Sequence, residues 1–247
     1  MAVHTHHLPV PTDTPHRLGR HVRHDDRSLA FLVPEPAAPN YVTTTWSTSA
    51  PVLNQLKTSA CTGNAIAQML DCDLFAPVRV AKGHNYLSEE AALHFYSLAT
   101  HISNPANQWY PPNDDGSDGL AVAQAAQQLG YVDRYLHAFT WPQVQAALAT
   151  QPVIFGTIWT QVMFGCSDTG FVSPGEINNS TIAGGHELMI RGIDYESEFL
   201  ILRNSWGSAW GGGPDILPGE FKLTFVDFQT LLAAEGDVVA PHGAHLP

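Results

Sequence analysis

The sequence predicts an α+β protein of two lobes. Segments with helical periodicity occupy the first half of the chain, β-branched and aromatic runs occupy the second, and no internal repeat interrupts that order. At 247 residues and 44% hydrophobic content the chain can bury a sizeable core.

Residues 1 to about 40 are rich in Pro, His and charge, and Pro34, Pro36 and Pro39 close the stretch. Proline removes a backbone donor and fixes φ, so no long regular element is expected there and the segment reads as an extended arm. The remainder, 41–247, reads as one domain, mainly helical over about 48–135 and mainly β over 136–247. From Ala60 to Leu70 the apolar positions Ala65, Ile66, Met69 and Leu70 have helical spacing, with Thr58 and Ser59 as capping residues just ahead. Cys61 should therefore lie in a first helical turn. A second helix is expected from about Ser88 to Ala99, with Ser88 as cap and Glu89 and Glu90 against the positive helix end. Leu120 to Leu129 reads as a third, ended by Gly130. Thr140-Trp141-Pro142-Gln143 has capping-box spacing and starts a fourth. Strands are expected over Pro152–Trp159, Glu187–Tyr195 and Phe199–Leu202.

A net charge of -12 repels nucleic acid and anionic lipid. The nearest approach to a basic patch, Arg17, Arg20, Arg23 and Arg27, is interrupted by Asp25 and Asp26. No run of about 18 apolar residues is present, so membrane insertion is not expected. The first residues have neither a basic nor an apolar signal region, so a cytoplasmic protein, or one released without a classical signal peptide, is expected. Three cysteines do not make a disulfide framework, and Cys72 and Cys166 read as buried free thiols. His4, His6 and His7 lack the partners and spacing of a zinc site, and Asp114 to Gly119 lacks the carboxylates of a calcium loop. Neither a metal nor a cofactor is expected.

Four residues combine into a chemistry that none carries alone. A cysteine nucleophile must become a thiolate, which a helix N-terminus and a nearby imidazolium favour. Cys61 has the first, and His186, in Gly184-Gly185-His186-Glu187-Leu188, can supply the second as general base and then acid. Asn204, opening Asn204-Ser205-Trp206-Gly207, can hold the imidazole tautomer through its side-chain oxygen, under the cover of Trp206. Gln55, six residues before Cys61, and the Cys61 backbone N–H can stabilise an oxyanion.

With these residues in this order, and with His186 and Asn204 following Cys61 at close to the ~130–150 residues expected, the chain resembles the papain-like C1 cysteine peptidases. Asp115-Gly116-Ser117 and Ser59-Ala60-Cys61-Thr62-Gly63 are similar to the bacterial branch, and the match covers roughly 48 to 225. The resemblance implies a helical lobe and an antiparallel β-barrel-like lobe with the active-site cleft between them. It also implies Cys61, His186, Asn204 and Gln55 as catalytic residues, site-supporting positions at Gly116, Ser117, Gly185 and Trp206, and a polypeptide substrate. The chain departs from the pattern in three ways. No second cysteine precedes Cys61, no aromatic follows it, and Glu187 replaces a small residue after the histidine, pointing away from it along a strand. The arm is also shorter than the long helical prosegment of such enzymes, so any latency should arise differently. Two other functions fit the same residues: a cell-wall amidase or acyl transferase, and a silent binding protein.

Overall fold

The computed structural model describes residues 3–36, 41–103 and 109–242. The arm is a hairpin thrown over the rest of the molecule. Strand β1 (Val3–His6) pairs antiparallel with β2 (Val22–Asp25), and the chain between them dips inward. Leu8, Leu18 and Val22 on it are buried, each worth about 1.5–3 kcal/mol of apolar transfer. A short 3-10 turn, Asp26–Phe31, follows, capped by Asp25 accepting from the Arg27 N–H.

After the two-residue strand β3 (Thr44–Thr45) comes α1 (Cys61–Leu70), every residue of which is buried. Its N-cap is Ala60, with no side-chain capping bond. The expected caps serve elsewhere: Thr58 turns back onto the Gln55 carbonyl, and Ser59 bonds to Asp114. Helices α2 (Ala76–Ala81), α3 (Glu89–Ser103) and α4 (Gly119–Gln128) complete this lobe. Ser88 accepts from the Ala91 N–H at the head of α3, and Asp118 caps α4 by accepting from the Ala121 N–H. Gly130, just beyond α4, has φ +69, a left-handed backbone that costs glycine little. Apolar residues of these helices, including Ile66, Phe95 and Val122, form one core with Ile154, Met189 and Val239 of the sheet.

The second lobe is a seven-stranded antiparallel sheet. Strand β4 (Arg134–Ala138) leads to α5 (Trp141–Leu148), which has both bonds of the Thr140/Gln143 capping box. Then come β5 (Val153–Thr160), β6 (Ile182–Asp194), β7 (Phe199–Arg203), β8 (Glu220–Thr224), α6 (Phe225–Ala233) and β9 (Asp237–His242). The sheet order is β4-β9-β5-β6-β7-β8, with β3 also paired to β6. Strand β6 begins five residues earlier than its aromatic and β-branched content suggests, because Gly184 and Gly185 continue it under the arm. A second core, containing Phe155, Trp159, Leu188, Leu202, Phe221 and Phe228, fills this lobe. Among the described residues no helix is long and apolar enough to cross a membrane. All three cysteines are free; Cys72 is buried, but Cys166 lies in a surface loop and is partly exposed, contrary to the burial expected of it.

Candidate active site

Helix α1 sets Cys61 at its first position, and β6, packed against that helix, carries His186; both side chains are fully buried. His186 Nε2 lies 2.8 Å from Asn204 Oδ1. The Ser205 backbone N–H donates to that same Oδ1 at 2.7 Å. Since an N–H can only donate, the Asn204 atom must be its oxygen, so Nε2 must carry the proton toward it. Nδ1 then presents a lone pair, and among the described residues it has no hydrogen-bond partner. Trp206 stacks on the imidazole at 4.9 Å and 25°, while Trp159 meets it edge-on at 4.9 Å. The two indoles exclude water from the His186–Asn204 bond.

Ser205 ties this pair to Gln55. Its hydroxyl donates to Gln55 Oε1 at 2.6 Å and its carbonyl accepts from the Gln55 N–H at 2.9 Å. The Gln55 amide is thereby oriented with Nε2 toward Thr58 O, at 2.8 Å, and toward the arm.

The arm fills the cleft. Gln55 Nε2 donates to Arg17 O, His16 stacks on Trp206 at 4.3 Å and 8°, and the N–H groups of Gly19 and Arg20 both donate to Gly185 O. Ser117 donates to Gly19 O at 2.8 Å and accepts from the His21 N–H at 2.7 Å, a parallel bridge. A Cβ on Gly185 would fall 2.1 Å from Arg20 O, and one on Gly116 2.3 Å from Gly19 O, so both positions must stay open for a chain to lie there. Gly116, Ser117 and Gly185 thus meet in one groove with Gln55, Cys61, His186, Asn204 and Trp206.

Covering the cleft reverses the expected electrostatics. The Cys61 thiol is pushed up to about 12, first by burial and then by the Glu187 carboxylate, although it receives the N–H groups of Glu187, Thr62 and Gly19. Burial likewise pushes His186 down to about 4. A thiolate–imidazolium pair was expected from the helix N-terminus; desolvation outweighs that end charge here, and the closed site holds a neutral thiol and a neutral ring.

The four arginines of the arm did not read as site residues, yet each faces a carboxylate. Arg17 lies 3.7 Å from Asp114, Arg23 3.7 Å from Asp118, Arg20 pairs with Asp237, and Arg27 pairs with Asp25. Their three- and four-residue spacing was visible in the sequence; their partners, except Asp25, are far along the chain. His4 and His6 both contact Glu235, which fixes the hairpin beside β9.

A helical lobe and an antiparallel sheet, divided by a cleft with Cys61 at a helix start on one wall and His186 on a strand of the other, define the papain-like fold. The comparisons with solved structures agree. The chain is similar to xylellain, a cysteine protease from Xylella fastidiosa, at 17% identity and TM-score 0.68, over 92% of this chain and 96% of that one. It is similar to procathepsin B from Trypanosoma congolense at 12% identity and TM-score 0.56, over 92% and 83% of the two chains. Bromelain from Ananas comosus, solved with the E64 inhibitor, aligns at 14% identity and TM-score 0.54, over 80% and 94%. No protein-family model matches the chain, and no curated protein matches it.

Proposed function

We propose that the chain is a papain-like cysteine peptidase whose cleft is closed by its own arm. The observation that carries the reading is the oriented imidazole: Ser205 fixes the Asn204 oxygen, Asn204 fixes Nε2–H, and an unpartnered Nδ1 is left as a base in a groove shared with Cys61. In the open cleft Nδ1 takes the Cys61 proton and the sulfur attacks a peptide carbonyl. Gln55 Nε2 and the Cys61 N–H hold the oxyanion. His186 returns the proton to the leaving amine, and water, deprotonated by the same ring, hydrolyses the thioester.

The arm follows the path of an extended peptide, bonded to Ser117, Gly185 and Gln55, which supports a polypeptide as the substrate and 1–40 as a regulatory segment. Domain 41–247 would carry the catalysis. The test uses full-length Gly19→Ala, in which the new Cβ would lie 2.1 Å from Ser59 O and lift the arm. It should hydrolyse a mixed peptide pool, and Gly19→Ala/Cys61→Ala should not. Equal hydrolysis by both variants would reject the reading.

A further inference from the structure

Beside the cysteine, the groove opens into a buried pocket that the peptidase chemistry does not use. Its carboxylates are Glu187, Asp237 and Asp118, 1%, 4% and 3% exposed, and its occupant is the side chain of Arg20, 0% exposed. Arg20 Nη2 donates to Asp237 Oδ1 and, at 2.8 Å, to the Glu235 carbonyl. Glu187 is turned into the same space, and among the described residues neither of its carboxylate oxygens has a hydrogen-bond partner. Two glycines make the room. A Cβ on Gly156 would meet Arg20 Nε at 2.6 Å, Glu187 Oε2 at 2.8 Å and Asp237 Oδ1 at 2.9 Å, and one on Gly119 would meet Glu187 Oε1 at 2.9 Å.

We propose that this pocket selects an arginine side chain of the substrate, and that Arg20 is the chain's own copy of that residue. The inference rests on the peptidase reading and adds its substrate class: peptides that place arginine against Ser117, where Arg20 now lies. Three carboxyls face the pocket, and among the described residues the arginines paired with Asp237 and Asp118, Arg20 and Arg23, both belong to the arm. When the arm leaves, the pocket keeps its acids and loses both arginines, so an apolar or acidic side chain would leave the acids without those partners. A guanidinium suits it better than an ammonium. One nitrogen reaches Asp237 and a main-chain carbonyl together, while Nε and Nη1 are buried and, among the described residues, still without a hydrogen-bond partner, a fork of donors that lysine cannot supply. Burial and the neighbouring Asp237 hold the Glu187 carboxyl well above its usual range, which Arg20 opposes.

The test is made on full-length Gly19→Ala/Arg20→Ala, which empties the pocket and loosens the arm. Its cleavage products from a random peptide library should show arginine enriched at one fixed position relative to the cut, above lysine and leucine. Adding Glu187→Gln, or separately Asp237→Asn, should lower the arginine-to-leucine ratio by about tenfold or more. Binding is read independently by thermal melting with agmatine, a small free guanidine, which should raise the Tm of the Arg20→Ala chain but not of wild type, and less with either added substitution. Cleavage without arginine preference overturns the pocket and leaves the peptidase standing. Agmatine stabilisation without any cleavage upholds a guanidinium pocket and rejects the peptidase. Neither cleavage nor agmatine stabilisation overturns both.

Discussion

The Gln55 side-chain amide donates to the Arg17 main-chain carbonyl at 3.2 Å, so the hydrogen-bond donor best placed to receive a substrate oxygen is already occupied by the chain itself. On the proposed peptidase function, a substrate would have to displace that contact together with the arm's bonds to Gly185 and Ser117. Weakening the arm should therefore raise activity rather than lower it. Gly19→Ala is expected to increase hydrolysis of a fluorogenic peptide by about tenfold or more, corresponding to roughly 1.4 kcal/mol of arm binding removed. A rate equal to wild type would show that the arm does not limit access.

Alkylation should report the same closure from the thiol side. With Cys61 pushed up to about 12 and fully buried, iodoacetamide at pH 7.5 should leave it unmodified in the wild type, while the partly exposed Cys166 reacts. Peptide mapping by mass spectrometry should then find Cys61 labelled in Gly19→Ala. Rapid wild-type labelling of Cys61 would contradict the closed cleft.

In the proposed mechanism Asn204 acts through the His186 ring it holds, so its loss should affect turnover more than binding. In the Gly19→Ala background, Asn204→Ala is expected to lower kcat on the order of 10²-fold with KM little changed. Ser205→Ala releases only the hydroxyl bond to Gln55 and should cost less, because its backbone N–H still holds residue 204. A change confined to KM in Asn204→Ala would argue against a positioning role.

Asp118 gives a prediction in pH. Burial pushes its carboxyl from the usual 3.8 up to about 6, against the pull of Arg23. A group raised in this way binds its proton more tightly when folded. Its contribution is complete below about pH 4 and is lost as pH rises through about 6, a change of up to about 3 kcal/mol. His186, pushed down to about 4, has the opposite sign, losing stability as pH falls through that value. The difference between wild type and Asp118→Asn isolates the first effect, since asparagine still accepts from the Ala121 N–H. Wild type minus variant should fall between about pH 4 and about pH 6 in urea unfolding; a constant difference would refute the shift.

Trp159 is 0% exposed and touches His186, Trp206, Phe164 and Phe221. Trp159→Ala is expected to cost about 3–5 kcal/mol of stability, measured by chemical denaturation, and a loss below about 1 kcal/mol would mean the second core can collapse around it.

How much of this was legible in the sequence depends on the range of the interactions. The Thr140 capping box, the Gly130 stop and the Cys61 helix start are set by neighbours within a few residues, and each stands where local pattern places it. The cap of α1 does not, because Thr58 and Ser59 found partners at Gln55 and Asp114 that only the folded cleft supplies. Glu187 was visible as a departure after His186, but its purpose was not. Its role depends on Arg20, Asp118 and Asp237, brought together from three distant parts of the chain. The perturbed thiol had the same origin: an isolated helix end favours a thiolate, and only the arm's cover removes the water that would sustain one.

Trp206 has the His186 imidazole stacked at 4.9 Å and the arm's His16 stacked at 4.3 Å. Departure of the arm removes the second ring and admits solvent to the indole without moving the first. The emission of this one tryptophan therefore becomes an intrinsic gauge of cleft opening, readable in real time on the unlabelled protein once the other five tryptophans are replaced by phenylalanine.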